Sequence, residues 1–343
     1  MTSVPAFDPW RHVVCDDDLV ADLLAGTVDA VAEAGGWVHP AARFVIRQGQ
    51  GSVRCEGIAG EPLLRIPRSA LVRIGRVGWS TSSEALEFDA VPSEFSSIET
   101  ELLVLQAALH NACGKIPWLV STHPVLAPDF SDDVIDAIRA FRPRFRRRQP
   151  SAAGLFWSDR VFRLPVGDDG AVEPVAVPLI DLLDHARDGS TPTWSGTEFS
   201  VDIAHAGELG ECRLDYGLQR DAIGMAVVYG FVASDSAIAH SAPVSVDVPG
   251  FGRVRVQAQG RRRDGTLMPT QVRRSSDGLV ASHVTFGAGQ TGVLPAGVVA
   301  AIANANLRLL DVLLSATTTC SGAAAATIAR AAEVQAQVIR ASV

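Results

Sequence analysis

Residues 177–185 read Val-Pro-Leu-Ile-Asp-Leu-Leu-Asp-His, an apolar run that ends in two carboxylates and a histidine. The only two tyrosines of the chain, Tyr216 and Tyr229, lie downstream, and a glycine follows each of them. Upstream, Gly49-Gln50-Gly51 interrupts a region of short apolar runs. Both tyrosines of the chain precede a glycine, and both follow the run that ends in two carboxylates and a histidine. We therefore interpret these segments together as the candidate functional core.

Taken in chain order, the segments resemble the motifs of SET-domain methyltransferases, in the branch of Rubisco large-subunit lysine methyltransferase and actin-histidine methyltransferase. Each motif is common by chance, whereas six in the same order are specific. The tyrosines are 13 positions apart, as expected in that branch. The resemblance spans roughly residues 35–235, with residues 97–150 as a helical insert. The matched segments are Gly49-Gln50-Gly51-Ser52-Val53, Leu64-Arg65-Ile66-Pro67, Asp159-Arg160-Val161-Phe162, Pro178 to Ala186, Gly210-Glu211 with Tyr216-Gly217, and Tyr229-Gly230-Phe231.

The resemblance implies an α+β fold: a SET-domain β-fold with a pseudoknot, a helical insert, and a carboxy-terminal mixed β and helical lobe. The expected division has four parts. Residues 1–96 hold an amino-terminal helix and the first half of the SET domain, and residues 97–150 hold the insert. Residues 151–235 hold the second half of the SET domain, and residues 236–343 hold the lobe.

The resemblance also implies S-adenosyl-L-methionine as cofactor, entering from one face, with the methyl acceptor entering from the other. Methyl transfer from a sulfonium is an in-line displacement, so the protein mainly has to align the two reactants. Tyr216 is the expected catalytic residue. The expected cofactor-binding residues are Gly49, Gln50, Gly51, Asp159, Asp181, Asp184, His185 and Tyr216. The expected acceptor-side residues are Arg160, Phe162, Trp194, Tyr229 and Phe231, whose rings favour a cationic amine.

The sequence departs from the family pattern at four positions. Asp184 replaces an asparagine, Ala186 a serine, Asp159 a frequent serine, and Ala222 an asparagine. An ionised aspartate only accepts hydrogen bonds, whereas an asparagine amide also donates them. Asp184 therefore either attracts the cationic part of the cofactor or shares a proton with Asp181, one of the two then having a raised pKa.

These departures leave three functions open. The first is N-methylation of a lysine or histidine side chain in a protein or peptide. The second is a SET-like biosynthetic enzyme that uses the same cofactor on a small amine or amino acid, and the third is a non-catalytic interaction module. A metal ion held by Asp181, Asp184 and His185 is a minor alternative, because no fourth ligand is evident.

Composition excludes several other classes. The 343 residues carry a formal net charge of -8, so nucleic acid is not an expected partner. The five cysteines form no Cys-x-x-Cys motif, which predicts neither a disulfide framework nor a zinc ribbon. Lys115 is the only lysine, which excludes a phosphate-binding Gly-Lys loop, and we predict that it lies in a turn between Gly114 and Pro117.

Hydrophobic periodicity supplies the remaining expectations. Strands are expected in residues 37–76, 244–257 and 279–286. Residues 142–148, which are rich in arginine, are expected to be a solvated linker. The apolar stretch 293–314 is interrupted by polar residues and predicts a packed helix rather than a membrane span, and we expect a cytoplasmic protein. Helices are expected at about 18–34, 98–112, 131–141, 295–316 and 322–341.

Overall fold

The chain folds into two compact units. The first comprises Met1–Leu119 and Pro150–Tyr216, and the second comprises Val120–Gln149 and Gly217–Val343. The boundaries at Leu119 and Gln149 fall within the expected helical insert, whereas the boundary at Tyr216 falls within the segment 151–235. The four-part division by family segments stays a prediction. The computed structural model describes residues 7–81, 84–127, 130–145, 151–167, 170–204, 210–216, 220–258, 267–287 and 291–343, without the side chain of Arg187.

The helices begin and end close to the residues that the sequence indicates. Asp17 accepts a hydrogen bond from the backbone N–H of Val20 at 3.0 Å, and Ser131 caps its helix in the same way. All five helices predicted from periodicity are confirmed. The helices are α1 (Asp18–Glu33), α2 (Ser97–Ala112), α3 (Lys115–Thr122), α4 (Asp132–Phe141), α5 (Ala152–Ser158), α6 (Ala222–Tyr229), α7 (Ala296–Thr317) and α8 (Ala323–Arg340).

The turn predicted around Lys115 is wrong, because Lys115 is the first residue of α3. Gly114 adopts a positive φ of 62°, which ends α2 and lets a second helix start at once. Pro117 lies in the first turn of α3. Backbone N–H groups of the first turn have no acceptor within the helix, so a proline, which lacks this group, is tolerated there. The glycine and proline therefore separate two helices.

The strands divide between the two units. In the first unit β1, β3, β4, β11 and β8 form one sheet in that order, β2, β5, β10 and β9 form another, and β6 pairs with β7. The strands of this unit are β1 (Val13–Cys15), β2 (Trp37–Val38), β3 (Ala42–Arg47), β4 (Gln50–Cys55), β5 (Pro62–Pro67), β6 (Val161–Pro165), β7 (Val172–Ala176), β8 (Asp184–Ser190), β9 (Thr193–Trp194), β10 (Glu198–Asp202) and β11 (Glu211–Leu214).

The second unit contains a four-stranded sheet in the order β13, β14, β16, β15 and a separate β12–β17 pair. Helices α4, α6, α7 and α8 pack with these strands around one apolar core. The mixed β and helical lobe is thereby confirmed, as is the α+β class. The strands are β12 (Ala239–His240), β13 (Ser245–Val248), β14 (Gly252–Val256), β15 (Gln271–Ser275), β16 (Gly278–Ser282) and β17 (Thr285–Phe286).

Helix α7 is long and apolar enough to cross a membrane by length and composition. Within the second unit, however, Val298, Ile302, Leu310 and Leu313 of α7 are fully buried in the apolar core. This packing agrees with the predicted core helix.

The arginine-rich run contains two residues that are not solvated linker residues, Arg142 and the buried Phe145. Arg142 forms an ion pair with Asp221, whose side chain is fully buried at the start of α6. The other oxygen of Asp221 accepts from the backbone N–H of His240 at 3.0 Å. Arg142 therefore neutralises a buried charge that caps a helix. Residues 146–148 of the run lie outside the described residues.

Candidate active site

The Gly-x-Gly segment forms the turn between β3 and β4. Arg47 pairs with Gln50 across the hairpin, and the two residues between them have positive φ, 51° at Gln48 and 73° at Gly49. Positive φ at both central positions is the geometry of a type I′ turn. A Cβ at Gly49 would lie 2.5 Å from the carbonyl oxygen of Cys113. Glycine is therefore required here by the turn and by the end of α2, which packs against it.

Gly51 has a different neighbour. A Cβ at this position would lie 2.7 Å from Cδ2 of Leu182, in the 3₁₀ turn Ile180–Leu182 that precedes β8. The glycine hairpin thus contacts both α2 and the Asp181 segment. Gln50, the middle residue of the motif, is exposed.

Replacing Gly49 with alanine is expected to lower the free energy of unfolding by about 3 kcal/mol. The substitution adds the strain of a positive φ, about 1–2 kcal/mol, and an overlap with a backbone carbonyl. Gly60 is a matched control, because its φ is 87° and a Cβ added at that position would meet nothing within 4 Å. Urea unfolding of both variants measures the difference, and equal losses would contradict the packing described for Gly49.

Tyr216 is tied to the strand that carries the Asp-His pair. Its hydroxyl donates to the carbonyl oxygen of Leu183 at 2.9 Å, and its backbone N–H donates to Nδ1 of His185 at 3.2 Å. The rings of Tyr216 and His185 lie 5.1 Å apart. A Cβ at Gly189 would be 2.6 Å from the carbonyl carbon of Leu214, so β8 and β11 approach closely. The two strands are parallel neighbours in one sheet.

Asp181 contacts a histidine that the sequence analysis did not single out. Oδ2 of Asp181 lies 2.6 Å from Nε2 of His110 on α2, and the two side chains are only 9% and 4% exposed. Burial raises the pKa of the Asp181 carboxyl, but the nearby His110 and Arg160 outweigh it and leave the pKa below its ordinary value. Asp181 is therefore held as a buried carboxylate.

Asp184 has the opposite electrostatics. Its pKa is raised, first by partial removal of its carboxyl from water and then by the charge of Glu211. Glu211 in turn accepts from Arg213 at 2.6 Å. The neighbouring charge that acts most on Asp184 is that of Glu211, and the expected sharing of a proton with Asp181 stays a prediction.

Replacing Asp184 with asparagine is expected to stabilise the protein at pH 7 by a few tenths of a kcal/mol to about 1 kcal/mol, since the partly exposed site is screened by water. A raised folded-state pKa contributes stability below the unfolded pKa, which is lost as the pH rises towards the folded value. The asparagine variant lacks this dependence, so its advantage should appear as the pH rises from 4 to 7. Thermal unfolding of both proteins between pH 4 and pH 7 measures this difference in stability. A difference that shrinks as the pH rises would contradict the raised pKa of Asp184.

Arg160 and Asp159 follow α5. The guanidinium of Arg160 lies 4.0 Å above the ring of Phe156 and donates to the Phe156 carbonyl at 3.2 Å. The same ring lies 4.8 Å from that of His110, so Arg160 belongs to the surroundings of Asp181. Asp159 is the C-cap residue of α5 and accepts from the hydroxyl of Ser158.

The predicted acceptor-side residues fall into two groups. Phe162 and Trp194 both lie beside the buried Phe199, with ring centroids 4.6 Å apart for Phe162 and strand pairing for Trp194. Tyr229 and Phe231 belong to the second unit, where their rings are 6.0 Å apart. The guanidinium of Arg220 lies over the Tyr229 ring at 5.0 Å.

The metal alternative fails on the geometry of its proposed ligands. Asp181 contacts His110, and Nδ1 of His185 accepts from Tyr216. Within the described ranges, no group of three or more histidine, cysteine, aspartate or glutamate residues could hold a metal ion.

Three residues near the site were not predicted from the sequence to be site residues: His110, Lys115 and Glu211. His110 lies among the apolar positions of α2, and a histidine on an apolar helix face is a signal for a buried polar partner. Lys115 is unique in the sequence, but the turn predicted there gave it no role in the site. Glu211 entered only as part of a motif.

Comparison with known proteins gives likenesses of structure alone. No family model and no curated protein matches the chain. Among solved structures, the chain is similar to the SET domain of LSMT bound to lysine and AdoHcy, at 10% identity and a TM-score of 0.47, covering 94% of this chain and 90% of that one. It is also similar to Rubisco LSMT bound to AdoMet, at 10% identity and a TM-score of 0.44, covering 92% and 89%.

A third similar structure is Rubisco LSMT bound to sinefungin and monomethyllysine, at 11% identity and a TM-score of 0.43, covering 91% of this chain and 88% of that one. These likenesses concern the fold, and we rest the assignment of function on the residues of this chain.

Proposed function

We propose that the chain is an S-adenosyl-L-methionine-dependent N-methyltransferase that acts on a lysine or histidine side chain of a protein. The observation that carries the proposal is the convergence of three distant segments within the first unit. The turn at Gly49 packs against α2 and the segment of Asp181, and Tyr216 is hydrogen-bonded to Leu183 and His185.

The charged side chains near Tyr216 and the Gly49 turn suit the proposed cofactor. Asp181 is a buried carboxylate, and Arg160 is close enough to lower its pKa. Burial and the charge of Glu211 raise the pKa of Asp184, and a carboxyl in its protonated form can donate as well as accept, as the family's asparagine amide does. S-adenosyl-L-methionine supplies an electrophilic methyl group on a sulfonium and an amino-acid portion with one positive and one negative group. Mixed carboxylates and cations in one place match such a ligand.

Tyr216 is the residue we assign to alignment of the methyl group. Its hydroxyl donates a hydrogen bond to the Leu183 carbonyl, and its backbone N–H donates one to His185. The phenol therefore has little freedom to move. A held hydroxyl can orient a reacting group at no entropic cost during the reaction. The net charge of -8 favours a basic acceptor segment.

Calorimetry with S-adenosyl-L-methionine is the first test, and we expect saturable binding. Absence of heat at about 1 mM ligand, where even a weak site fills, would remove the proposal. Methyl transfer from isotopically labelled cofactor then separates the acceptors. Label in histidine- or lysine-containing proteins supports the proposal, whereas label only in small amines favours the biosynthetic alternative. Binding without transfer to either class favours the interaction module.

A further inference from the structure

The only lysine of the chain lies at the junction of the elements that form the proposed site. Lys115 is the first residue of α3 and follows α2 after a two-residue connection. The carbonyl of Cys113 in that connection packs against Gly49, and His110 in the last turn of α2 contacts Asp181. Lys115 therefore follows closely, in the chain, the two residues that contact the glycine turn and Asp181.

The charged neighbours of Lys115 are of both signs. Arg160 repels its ammonium, whereas Asp181, Asp184 and the thiol of Cys113 act in its favour. Burial, the largest effect, lowers the pKa of Lys115, and Arg160 lowers it further. Lys115 is half-buried, yet among the residues that the structure describes no ion pair or hydrogen bond involves its ammonium group.

A half-buried lysine that is repelled by Arg160, and for which the described residues provide no ion-pair partner, is an unfavourable arrangement for the protein alone. An added anion between the two cations would relieve their repulsion and compensate the burial of the ammonium. Asp181 and Asp184, whose charges act in favour of the Lys115 ammonium, would attract a cationic group of the same ligand. This pattern of two cations and two carboxyl groups suits an α-amino acid, which carries one charge of each sign.

We propose that Lys115, with Arg160, binds the carboxylate of the amino-acid portion of the cofactor. This inference rests on the proposed function. It assigns Lys115 to ligand binding only and gives it no part in the transfer of the methyl group.

The single lysine makes the test direct, because protein labelled with ¹³C-lysine gives one side-chain resonance that reports on Lys115. Its pKa is measured by NMR titration for the free protein, with S-adenosylhomocysteine, and with 5′-methylthioadenosine, which lacks the amino-acid portion. We expect S-adenosylhomocysteine to raise the pKa of Lys115 by about one unit or more, since an anion within contact distance has that effect. We expect 5′-methylthioadenosine to bind without this shift.

Affinities of variants provide the second measurement. Lys115→Met, which keeps the length of the side chain, should weaken S-adenosylhomocysteine about tenfold and leave 5′-methylthioadenosine unchanged, whereas Lys115→Arg should retain most of the affinity. Arg65→Met removes an exposed cation from β5 and is the control, with both affinities expected to be unchanged.

The outcomes separate the two proposals. If S-adenosylhomocysteine binds while the Lys115 pKa and the affinity of Lys115→Met stay at their starting values, the assignment of Lys115 is overturned and the proposed function stands. If neither ligand binds the unmodified protein, the proposed function fails and this inference fails with it.

Discussion

Replacing Tyr216 with phenylalanine is expected to lower the rate of methyl transfer about 100-fold, equivalent to about 2.7 kcal/mol of transition-state stabilisation. The substitution removes the hydroxyl that donates to Leu183 at 2.9 Å and keeps the ring beside His185. The structural loss is one hydrogen bond, about 1 kcal/mol, so the variant should fold. Rates with saturating cofactor and acceptor, together with thermal unfolding, measure the two effects separately.

Tyr229→Phe is the comparison, because it removes the only other phenol of the chain. Tyr229 belongs to the second unit, and the proposed reaction gives its hydroxyl no role, so a loss below tenfold is expected. If Tyr216→Phe were as active as the unmodified protein and only less stable, the hydroxyl of Tyr216 would have a structural role and no part in the reaction.

The largest effect on stability is expected for His110→Ala. This substitution leaves the Asp181 carboxylate buried without the group that lies 2.6 Å away, and removing one partner of a buried pair costs about 3–5 kcal/mol. Arg139→Ala is the control, since it breaks an exposed pair with Asp136 and should cost less than 1 kcal/mol. Urea unfolding at pH 7 gives both values.

The pH dependence of the His110→Ala deficit tests its cause. In the unmodified protein the depressed pKa of Asp181 contributes stability above the unfolded value of 3.8, which is lost as the pH falls through the folded value. Without His110, burial raises the pKa of Asp181, and protonation relieves the uncompensated charge. The deficit should therefore shrink from pH 7 towards pH 4, and Asp181→Asn should recover part of it. A deficit that is independent of pH and unchanged by Asp181→Asn would point to lost packing instead.

The sequence predicts the helices well because their boundaries are encoded locally. Asp17 and Ser131 are side chains that cap helices, and Gly35-Gly36 and Pro143 follow the ends of α1 and α4. The turn predicted at Lys115 failed for a related reason. Gly114 and Pro117 are typical of turns, but the same two residues also fit the end of one helix and the first turn of the next.

The charges of the site could not be predicted in the same way, because they depend on contacts between distant segments. Asp181 and Asp184 are three positions apart and have opposite environments. His110, 71 positions before Asp181, lowers the pKa of one, and Glu211, 27 positions after Asp184, raises the pKa of the other. The motifs indicated that Gly49, Asp184 and Tyr216 belong together, but spacing alone carries no information about protonation.

A crystal structure with S-adenosylhomocysteine, at a concentration that calorimetry shows to be saturating, tests the central proposal most directly. We expect the ligand in the first unit beside the Gly49 turn, with its amino-acid portion among Asp184, Arg160 and Lys115 and its sulfur facing the hydroxyl of Tyr216. Ligand bound elsewhere on the chain, with Tyr216 out of reach of the sulfur, would contradict the account.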